Sequence, residues 1–151
     1  MQFRMATQDD LDFIYHATRN MAEEEGILSR YSCTPDSLQA GLFGPDAFAE
    51  VLLAEKAGVP LGLCLFSKTQ RNFNLFPAPG IYIHDIYVCP EARRQKIGTA
   101  LTAKMKDIAK QRGCHRVDWV ILKQNQPALA FWQAVGVGEE VDYIKTMRAK
   151  L

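Results

Sequence analysis

The stretch from Ile81 to Ala103 constrains the fold of this chain most strongly. Residues 81–88 are rich in β-branched and aromatic side chains, which predicts a buried central strand. Cys89-Pro90 ends this strand, because proline cannot donate to a sheet ladder. Residues 99–109 have apolar side chains at helical spacing. The sequence therefore predicts a strand, a basic turn and a helix in succession.

The basic turn consists of Arg93, Arg94, Gln95 and Lys96, with Gly98 shortly after them. The first N–H groups of a helix have no partner within the helix, and the helix dipole is positive at that end. A strand, a glycine-containing turn and a helix in this order therefore suit the binding of a pyrophosphate. A solvated basic turn is the alternative interpretation, since short glycine turns are common.

Length and composition are typical of one soluble globular domain over residues 1–151. The chain is 48% hydrophobic and 23% charged, with a formal net charge of +1. This charge predicts no bulk attraction to nucleic acid or to a membrane. The cysteines lack the paired spacing of metal sites, so no metal is expected. The acidic N-terminus does not resemble a signal peptide, and no run of about 18 apolar residues occurs, so we expect a cytoplasmic protein.

The patterns along the whole chain predict the element order βααβββαβαβ. A short loop with Gly58 joins the second and third strands and implies a hairpin, while later helices provide crossovers, so the expected sheet is mixed. The strand patterns cover residues 2–5, 48–55, 60–67, 81–88, 117–122 and 141–148, and the helix patterns begin after Thr7, Thr34, Gly98 and Asn125.

Two motifs resemble signatures of the GCN5-related N-acetyltransferase (GNAT) superfamily. Its pattern Arg/Gln-x-x-Gly-x-Gly/Ala is matched by Arg93 and Gly98, with Lys96 in place of the middle glycine. A second family pattern, Asn-x-x-Ala-x-x-Phe-Tyr, is matched from Asn125, with Trp132 in place of the tyrosine. On these motifs and the order of its elements, the chain is identified as a member of this family. The resemblance implies the mixed α/β fold of acyl-CoA N-acyltransferases.

The resemblance also implies acetyl-CoA as cosubstrate. In this family the fourth strand separates from the fifth, usually at a bulge, and leaves N–H groups for the pantetheine and the thioester. The pyrophosphate is expected on the N–H groups of residues 94–98, with help from Arg93 or Arg94. The expected cofactor-binding residues are Ile86, Tyr87, Val88, Arg93, Arg94, Gln95, Lys96, Ile97, Gly98, Thr99, Asn125, Ala128 and Phe131.

Residues 81–88 further resemble the fourth strand of diamine (spermidine/spermine) acetyltransferases, with His84-Asp85 where those proteins have Glu-Asp. This resemblance implies a homodimer, and a polyamine or lysine-like acceptor acetylated by direct transfer in a ternary complex. Glu23, Glu24 and Glu25 close the first helix, where negative charge opposes the helix dipole. They are the candidate substrate-binding residues for a cationic acceptor. A solvated acidic turn is the alternative.

His84, Asp85 and Trp132 are the candidate catalytic residues. His84 would accept the amine proton, because an unperturbed histidine is mostly neutral at about pH 7. Asp85 can support it only if the backbone bulges, since neighbours on a regular strand face opposite ways. Trp132 takes the place of the family tyrosine that protonates the thiolate, but an indole does not titrate near neutrality. Tyr87, Tyr143 or solvent remain as acids, and His84 as a packed strand histidine remains the alternative interpretation.

Two other function classes stay open at this stage. The departures at Lys96 and Trp132 are also compatible with a non-catalytic acyl-CoA-binding module, which would show no turnover with any amine. Nucleic-acid binding through the basic residues of the third helix is the weaker alternative. Those residues scatter around the helix, and the chain is nearly neutral. They are Lys104, Lys106, Lys110 and Arg112.

Overall fold

The computed structural model describes residues 1–71, 74–136, 138–142 and 146–149. This described part groups into two compact units, Met1–Val120 and Ile121–Leu151. Its five strands form one sheet in chain order. Neighbouring strands are antiparallel except the last pair, which is parallel. The mixed α/β sheet predicted from the sequence is thereby confirmed.

The elements follow the predicted order through the last helix. The strands are β1 (Gln2–Met5), β2 (Glu50–Lys56), β3 (Val59–Thr69), β4 (Gly80–Val88) and β5 (Arg116–Trp119). The helices are α1 (Leu11–Glu24), α2 (Pro35–Phe43), α3 (Ile97–Gln111) and α4 (Gln126–Val135).

Local sequence accounts for where α1 and α2 begin. The N–H of Thr7 donates to the Asp10 carboxylate at 2.8 Å, in a short 3₁₀ turn that leads directly into α1. At α2, the N–H of Ser37 donates to the Thr34 hydroxyl at 3.1 Å. Pro35 follows as the first helical residue, where its missing N–H costs nothing. Both caps satisfy donors that the helix itself cannot satisfy.

The β2–β3 hairpin turns through Ala57 and Gly58, with φ angles of 51° and 78°. Positive φ at both positions of a two-residue loop matches the right-handed twist of the flanking strands. Glycine adopts this conformation freely, and the turn therefore fixes the register of the two strands.

The sheet is covered on both faces within the first unit. On one face, α1 and α2 form a core with inward residues of β2, β3 and β4: Ile14, Ala17, Leu38, Val51, Leu53, Leu63 and Tyr87. On the other face, α3 contacts β2, β3 and β4, and its Leu101 and Met105 are fully buried. Gly62 lets the start of α3 come close, since a side chain there would meet the Ile97 methyl at 3.4 Å and the Tyr87 carbonyl at 2.8 Å.

Two predicted strands differ from the structure or lie partly outside its description. The strand predicted over residues 117–122 runs from Arg116 to Trp119 only, because its partner β4 bulges beyond Ile83. The strand predicted over residues 141–148 includes residues 143–145, which lie outside the described part. The described residues on either side of them are not in a strand. In the described part, no helix is both long and apolar enough to span a bilayer.

Candidate active site

The centre of the site is a β-bulge in β4. Phe66 of β3 pairs with Ile83, but the next residue, Leu65, pairs with Asp85. One step along β3 therefore spans two steps along β4, and His84 is the extra residue. A bulge of this kind bends the strand and disrupts regular alternation. His84 and Asp85 can act together only because of such a bulge, since neighbours on a regular strand face opposite ways.

The bulge brings His84 and Asp85 to the same face of the sheet. Asp85 pairs with Leu65, which packs against the α1–α2 core. Ser67, two residues further along β3, shares that face. Its hydroxyl shares a hydrogen bond of 2.9 Å with Nε2 of His84. On a regular strand the two neighbouring side chains would point to opposite faces.

His84 is poised to act as a base. Its side chain lies at the surface, with the ring edge-on to the Tyr82 ring at a centroid distance of 5.0 Å. Partial desolvation lowers its pKa below the ordinary value of 6.5. The imidazole is therefore neutral at neutral pH, and it can accept a proton.

Asp85 lies in a more enclosed environment. Burial raises its pKa from 3.8 to about 6, and the nearby charge of Glu25 adds to this effect. Burial also raises the pKa of Tyr31 and of Cys33, and the Asp85 charge contributes to both shifts. No ion pair joins His84 and Asp85 in the described part of the chain. The site thus combines a neutral imidazole with a carboxylate that titrates close to neutrality, as perturbed groups at functional sites often do.

Beyond the bulge, β4 has an open edge, because it pairs with no second strand among the described residues. Its pairing with β5 ends at Ile83 and Trp119. The Cys89 N–H donates to the Leu61 carbonyl of β3 at 2.9 Å. Alternation along an antiparallel ladder then directs the Tyr87 N–H towards β3, and those of Ile86 and Val88 away from it. Two of the three N–H groups expected for the pantetheine therefore face the open side, and that of Tyr87 does not.

The basic turn holds two non-glycine residues in the left-handed region. Arg94 and Lys96 have φ angles of 62° and 61°. Lys96 is the N-cap of α3 and makes no side-chain cap, so the first N–H groups of the helix have no partner from it. Lys96 adopts the conformation that the family glycine would adopt, at a strain of about 1 kcal/mol. The turn is kept despite the substitution.

The first turn of α3 contains the remaining expected phosphate-loop residues. Ile97 and Gly98 are buried against the sheet, and Thr99 is exposed. The side chains of Arg94, Gln95 and Lys96 are also exposed. A helix start flanked by two cations matches the donor set that a pyrophosphate requires. The open edge of β4 supplies backbone N–H donors for the amide carbonyls of the pantetheine. These residues therefore fit acetyl-CoA.

Arg93 makes contacts that the sequence did not predict. Its Nη2 donates to both carboxylate oxygens of Glu24 at 2.7 and 2.8 Å, and its Nε donates to the Val88 carbonyl at 3.0 Å. The guanidinium also lies over the Tyr87 ring at 5.7 Å. The expected phosphate ligand Arg93 and the expected substrate residue Glu24 therefore bind each other. They connect the end of α1 to the end of β4.

The other two acidic residues border this connection. Glu23 is exposed near the end of α1, and Glu25 follows as the C-cap. The Glu25 charge adds to the effect of burial in raising the pKa of Asp85 at the bulge.

The residues of the second family motif lie in the second unit. The Ala128 N–H donates to Oδ1 of Asn125 at 3.0 Å, so Asn125 is the N-cap of α4. Phe131 and Trp132 are partly buried, and their rings are in edge contact at 5.1 Å. The predicted helix is thus present, and Asn125 caps it.

Sequence reasoning did not single out Ser67 or Tyr82, the two residues that contact the His84 ring. Tyr82 lies two positions before His84 on one strand, which is a detectable signal for a shared face. Ser67 gave no such signal, because its contact depends on the register between β3 and β4.

Comparisons with known proteins agree with this geometry. The family model of the acetyltransferase (GNAT) family matches residues 14–137. A thialysine N-epsilon-acetyltransferase of Sus scrofa is 30% identical over 138 residues, which cover 88% of this chain and 81% of the relative.

Solved structures show the same fold. A possible acetyltransferase from Clostridium difficile 630 superposes with a TM-score of 0.80 at 20% identity, covering 99% of this chain and 97% of the other. The aminoglycoside N-acetyltransferase AAC(6')-Iy, solved in complex with CoA, superposes with a TM-score of 0.71 at 18% identity, covering 99% and 100%. The match of the family model over most of its length places this chain in the GNAT acetyltransferase family, as an N-acetyltransferase whose cosubstrate is acetyl-CoA.

Proposed function

We propose that this protein transfers the acetyl group of acetyl-CoA directly to a small primary amine in a ternary complex, and that the acceptor is a polyamine or a lysine-like amine. The observation that carries the proposal is the bulge, which presents His84 and Asp85 together beside the open half of β4. The relative from Sus scrofa, whose name states acetylation of thialysine at N-epsilon, supports the lysine-like class.

In this proposal His84 prepares the acceptor. An amine attacks a thioester only in its neutral form, so a base must take its proton. The lowered pKa of His84 keeps the ring neutral, and its hydrogen bond with Ser67 fixes the ring orientation. Asp85 provides negative charge on the same face and stabilises the imidazolium that forms. The acidic end of α1 raises the local concentration of a cationic acceptor.

Acetyl-CoA supplies an activated acyl group as a thioester. The N–H groups of Ile86 and Val88 would hold the pantetheine, and the start of α3 with Arg94 and Lys96 would hold the pyrophosphate. Arg93 is hydrogen-bonded to Glu24 and to the Val88 carbonyl, so its proposed role is to position the end of β4.

The departing thiolate needs a proton. Trp132 can donate a hydrogen bond to the sulfur but cannot give up its proton near neutrality. Tyr87, Tyr143 and solvent are the proposed sources. Burial raises the pKa of Tyr87 and keeps its hydroxyl protonated, while Tyr143 lies outside the described residues. We further propose that residues 1–151 act as one N-acetyltransferase domain, that the protein is a homodimer and that it is cytoplasmic.

The direct test combines binding with turnover. Acetyl-CoA should raise the melting temperature by mass action, and thiol release should follow when primary amines are added. Polyamines and basic amino acids should outrank uncharged monoamines. An unchanged melting temperature at saturating acetyl-CoA, or thiol release with no amine at all, would refute the proposal.

The role of the acidic end of α1 has a matched control. The double variant Glu23→Gln/Glu25→Gln should raise KM for a cationic acceptor about 3- to 10-fold more than KM for a neutral one, and added salt should weaken this difference. The double variant Asp9→Asn/Asp12→Asn removes the same charge at the other end of α1, roughly 20 Å away. It should leave both KM values unchanged. Equal changes for both acceptor types would contradict the electrostatic role.

A further inference from the structure

A cationic and aromatic surface lies next to His84. The guanidinium of Arg71 lies over the Tyr82 ring, with its carbon 5.7 Å from the ring centroid. The same Tyr82 ring contacts the His84 ring at 5.0 Å. Arg71 and the candidate base therefore contact the same aromatic ring.

Strand register shows that these groups share one face of the sheet. Tyr82 pairs with Ser67 of β3, whose hydroxyl binds His84. Tyr82 also pairs with Asp118 of the parallel strand β5. Residues in register on neighbouring strands point to the same face. Asp118 thus stands on the same surface, and its carboxylate lies 3.9 Å from Nη2 of Arg71.

Arg71 and its neighbour Arg116 use their guanidinium groups differently. Arg116 has a side chain that is 13% exposed, and its three nitrogens donate to Asp118, to the Ala78 carbonyl and to the Arg71 carbonyl. It holds the loop in place. The Arg71 side chain is 42% exposed, and its guanidinium makes no hydrogen bond to any described residue. Its donors are therefore available to a ligand.

The surface matches the head group of an amino acid. A guanidinium presents parallel donors that fit a carboxylate. Asp118 beside it can attract an α-ammonium group, and the Tyr82 ring offers apolar area for a methylene chain that leads to His84. A polyamine has no carboxylate, and a second ammonium group of a polyamine would meet the positive charge of Arg71.

We infer that the acceptor is an amino acid with a free α-carboxylate, which Arg71 binds while the side-chain amine reaches His84. This inference rests on the proposed function and selects between its two acceptor classes. Arg71 is then the residue that determines specificity. Tyr82 supports both the guanidinium and the chain of the acceptor.

The test compares lysine with 1,5-diaminopentane, which has the same chain and amine but no carboxylate. The wild-type protein should show at least about 10-fold higher kcat/KM with lysine, because a charge-assisted bidentate contact is lost without the carboxylate. Arg71→Ala should raise KM for lysine by about 10- to 100-fold, with kcat within about 3-fold. KM for 1,5-diaminopentane and for acetyl-CoA should hardly change.

Two further variants separate binding from structure. Lys68→Ala removes the same charge nearby, but Lys68 follows Ser67 on a regular strand and faces the other side. It should leave both acceptors unaffected. Arg71→Lys keeps the charge but lacks the paired donors of a guanidinium, so it should give an intermediate KM for lysine. The melting temperature of Arg71→Ala should stay near that of the wild type, since Arg116 still pairs with Asp118.

Different results would contradict the carboxylate contact and the acetyltransferase proposal. Acetylation of 1,5-diaminopentane as good as that of lysine, or an equal rise of both KM values in Arg71→Ala, would overturn the carboxylate contact and leave the acetyltransferase proposal standing. Absence of turnover with every amine, despite binding of acetyl-CoA, would overturn the proposed function and this inference with it.

Discussion

The two halves of β4 differ in the number of strands that they pair with. In the described part of the chain, Gly80–Ile83 pairs with β3 on one side and β5 on the other. Beyond the bulge, the residues from Asp85 to Val88 pair with β3 alone. Both halves contain isoleucine and tyrosine and have similar composition, so composition does not explain the difference.

The comparison shows how one strand serves structure and function together. A backbone paired on both sides has used its donors and acceptors, and it contributes stability. A backbone paired on one side keeps N–H groups for a ligand. His84 and Asp85 lie at the boundary between the halves. The candidate catalytic side chains are thereby fixed by the paired half and placed beside the open half.

The largest expected effect on activity comes from a substitution at the boundary between the two halves of β4. His84→Ala should lower kcat/KM by roughly 10²–10⁴-fold, because the base for the acceptor amine is lost. Affinity for acetyl-CoA should hardly change, since the open half of β4 remains intact. Steady-state kinetics and a thermal shift with acetyl-CoA measure the two quantities.

Ser67→Ala serves as the control for this variant, since it removes the partner of the imidazole but keeps the base. Its loss should stay below about 10-fold. Full activity of His84→Ala from about pH 6 to about pH 9 would show that His84 is only a packed strand residue.

The next effect concerns pH and Asp85. Its pKa is raised in the folded protein, so the folded state holds this proton more tightly than the unfolded state does. The contribution of the protonated Asp85 carboxyl to the stability of the folded protein is complete below the ordinary pKa of 3.8. It is lost as the pH rises through about 6. Asp85→Asn should therefore gain stability relative to the wild type over this range, by at most about 3 kcal/mol in the free energy of unfolding. Urea unfolding at several pH values measures it.

Asp10→Asn provides a control of opposite sign. The hydrogen bond from Arg4 lowers the pKa of Asp10, so its charge stabilises the folded state above its ordinary pKa. That variant should lose stability relative to the wild type as the pH rises through about 4. A stability difference between Asp85→Asn and the wild type that does not vary with pH would show that Asp85 titrates normally.

The smallest expected effects come from substituting two glycines, Gly62 beside the open half of β4 and Gly80 in the paired half. In Gly62→Ala, the new methyl would lie 2.8 Å from the Tyr87 carbonyl, a backbone atom that cannot move freely. We expect a loss of about 1–3 kcal/mol in the free energy of unfolding and weaker acetyl-CoA binding, because Ile97 at the start of α3 is displaced. Denaturant unfolding and acetyl-CoA titration measure these effects.

Gly80→Ala affects the paired half instead. Its methyl would meet Cγ of Arg116 at 2.8 Å, and three hydrogen bonds hold that side chain in place. A comparable loss of stability is expected, but acetyl-CoA binding should remain normal. Equal losses of acetyl-CoA affinity in both variants would contradict the functional separation of the two halves.

Most of the fold could be predicted from the sequence. The bounds of α2 follow from Thr34, Pro35 and Gly44, and the hairpin follows from Gly58, because caps and turns act over a few residues. The end of β5 was predicted three residues too late. Its length depends on where β4 bends away, and no residue of β5 carries that information.

The candidate site was predicted in part. His84, Asp85, the open edge and the basic turn were identified, since motif and strand are contiguous in the chain. The pairing of Arg93 with Glu24 was missed, as were the contacts of Ser67 and Tyr82 with His84 and that of Arg71 with the Tyr82 ring. Most of these contacts join residues on different elements, so periodicity and spacing do not reveal them.

The sequence by itself determined the type and order of the elements and the position of the basic turn before α3, because hydrophobic period, caps and glycines act locally. Only the tertiary structure decided that His84 and Asp85 share a face, that Arg93 binds Glu24 and that Arg71 lies over the Tyr82 ring. The physical reason is register. Shifting β4 against β3 by one residue exchanges the faces of every side chain that follows, and this shift depends on the packing of strands that are distant in the chain.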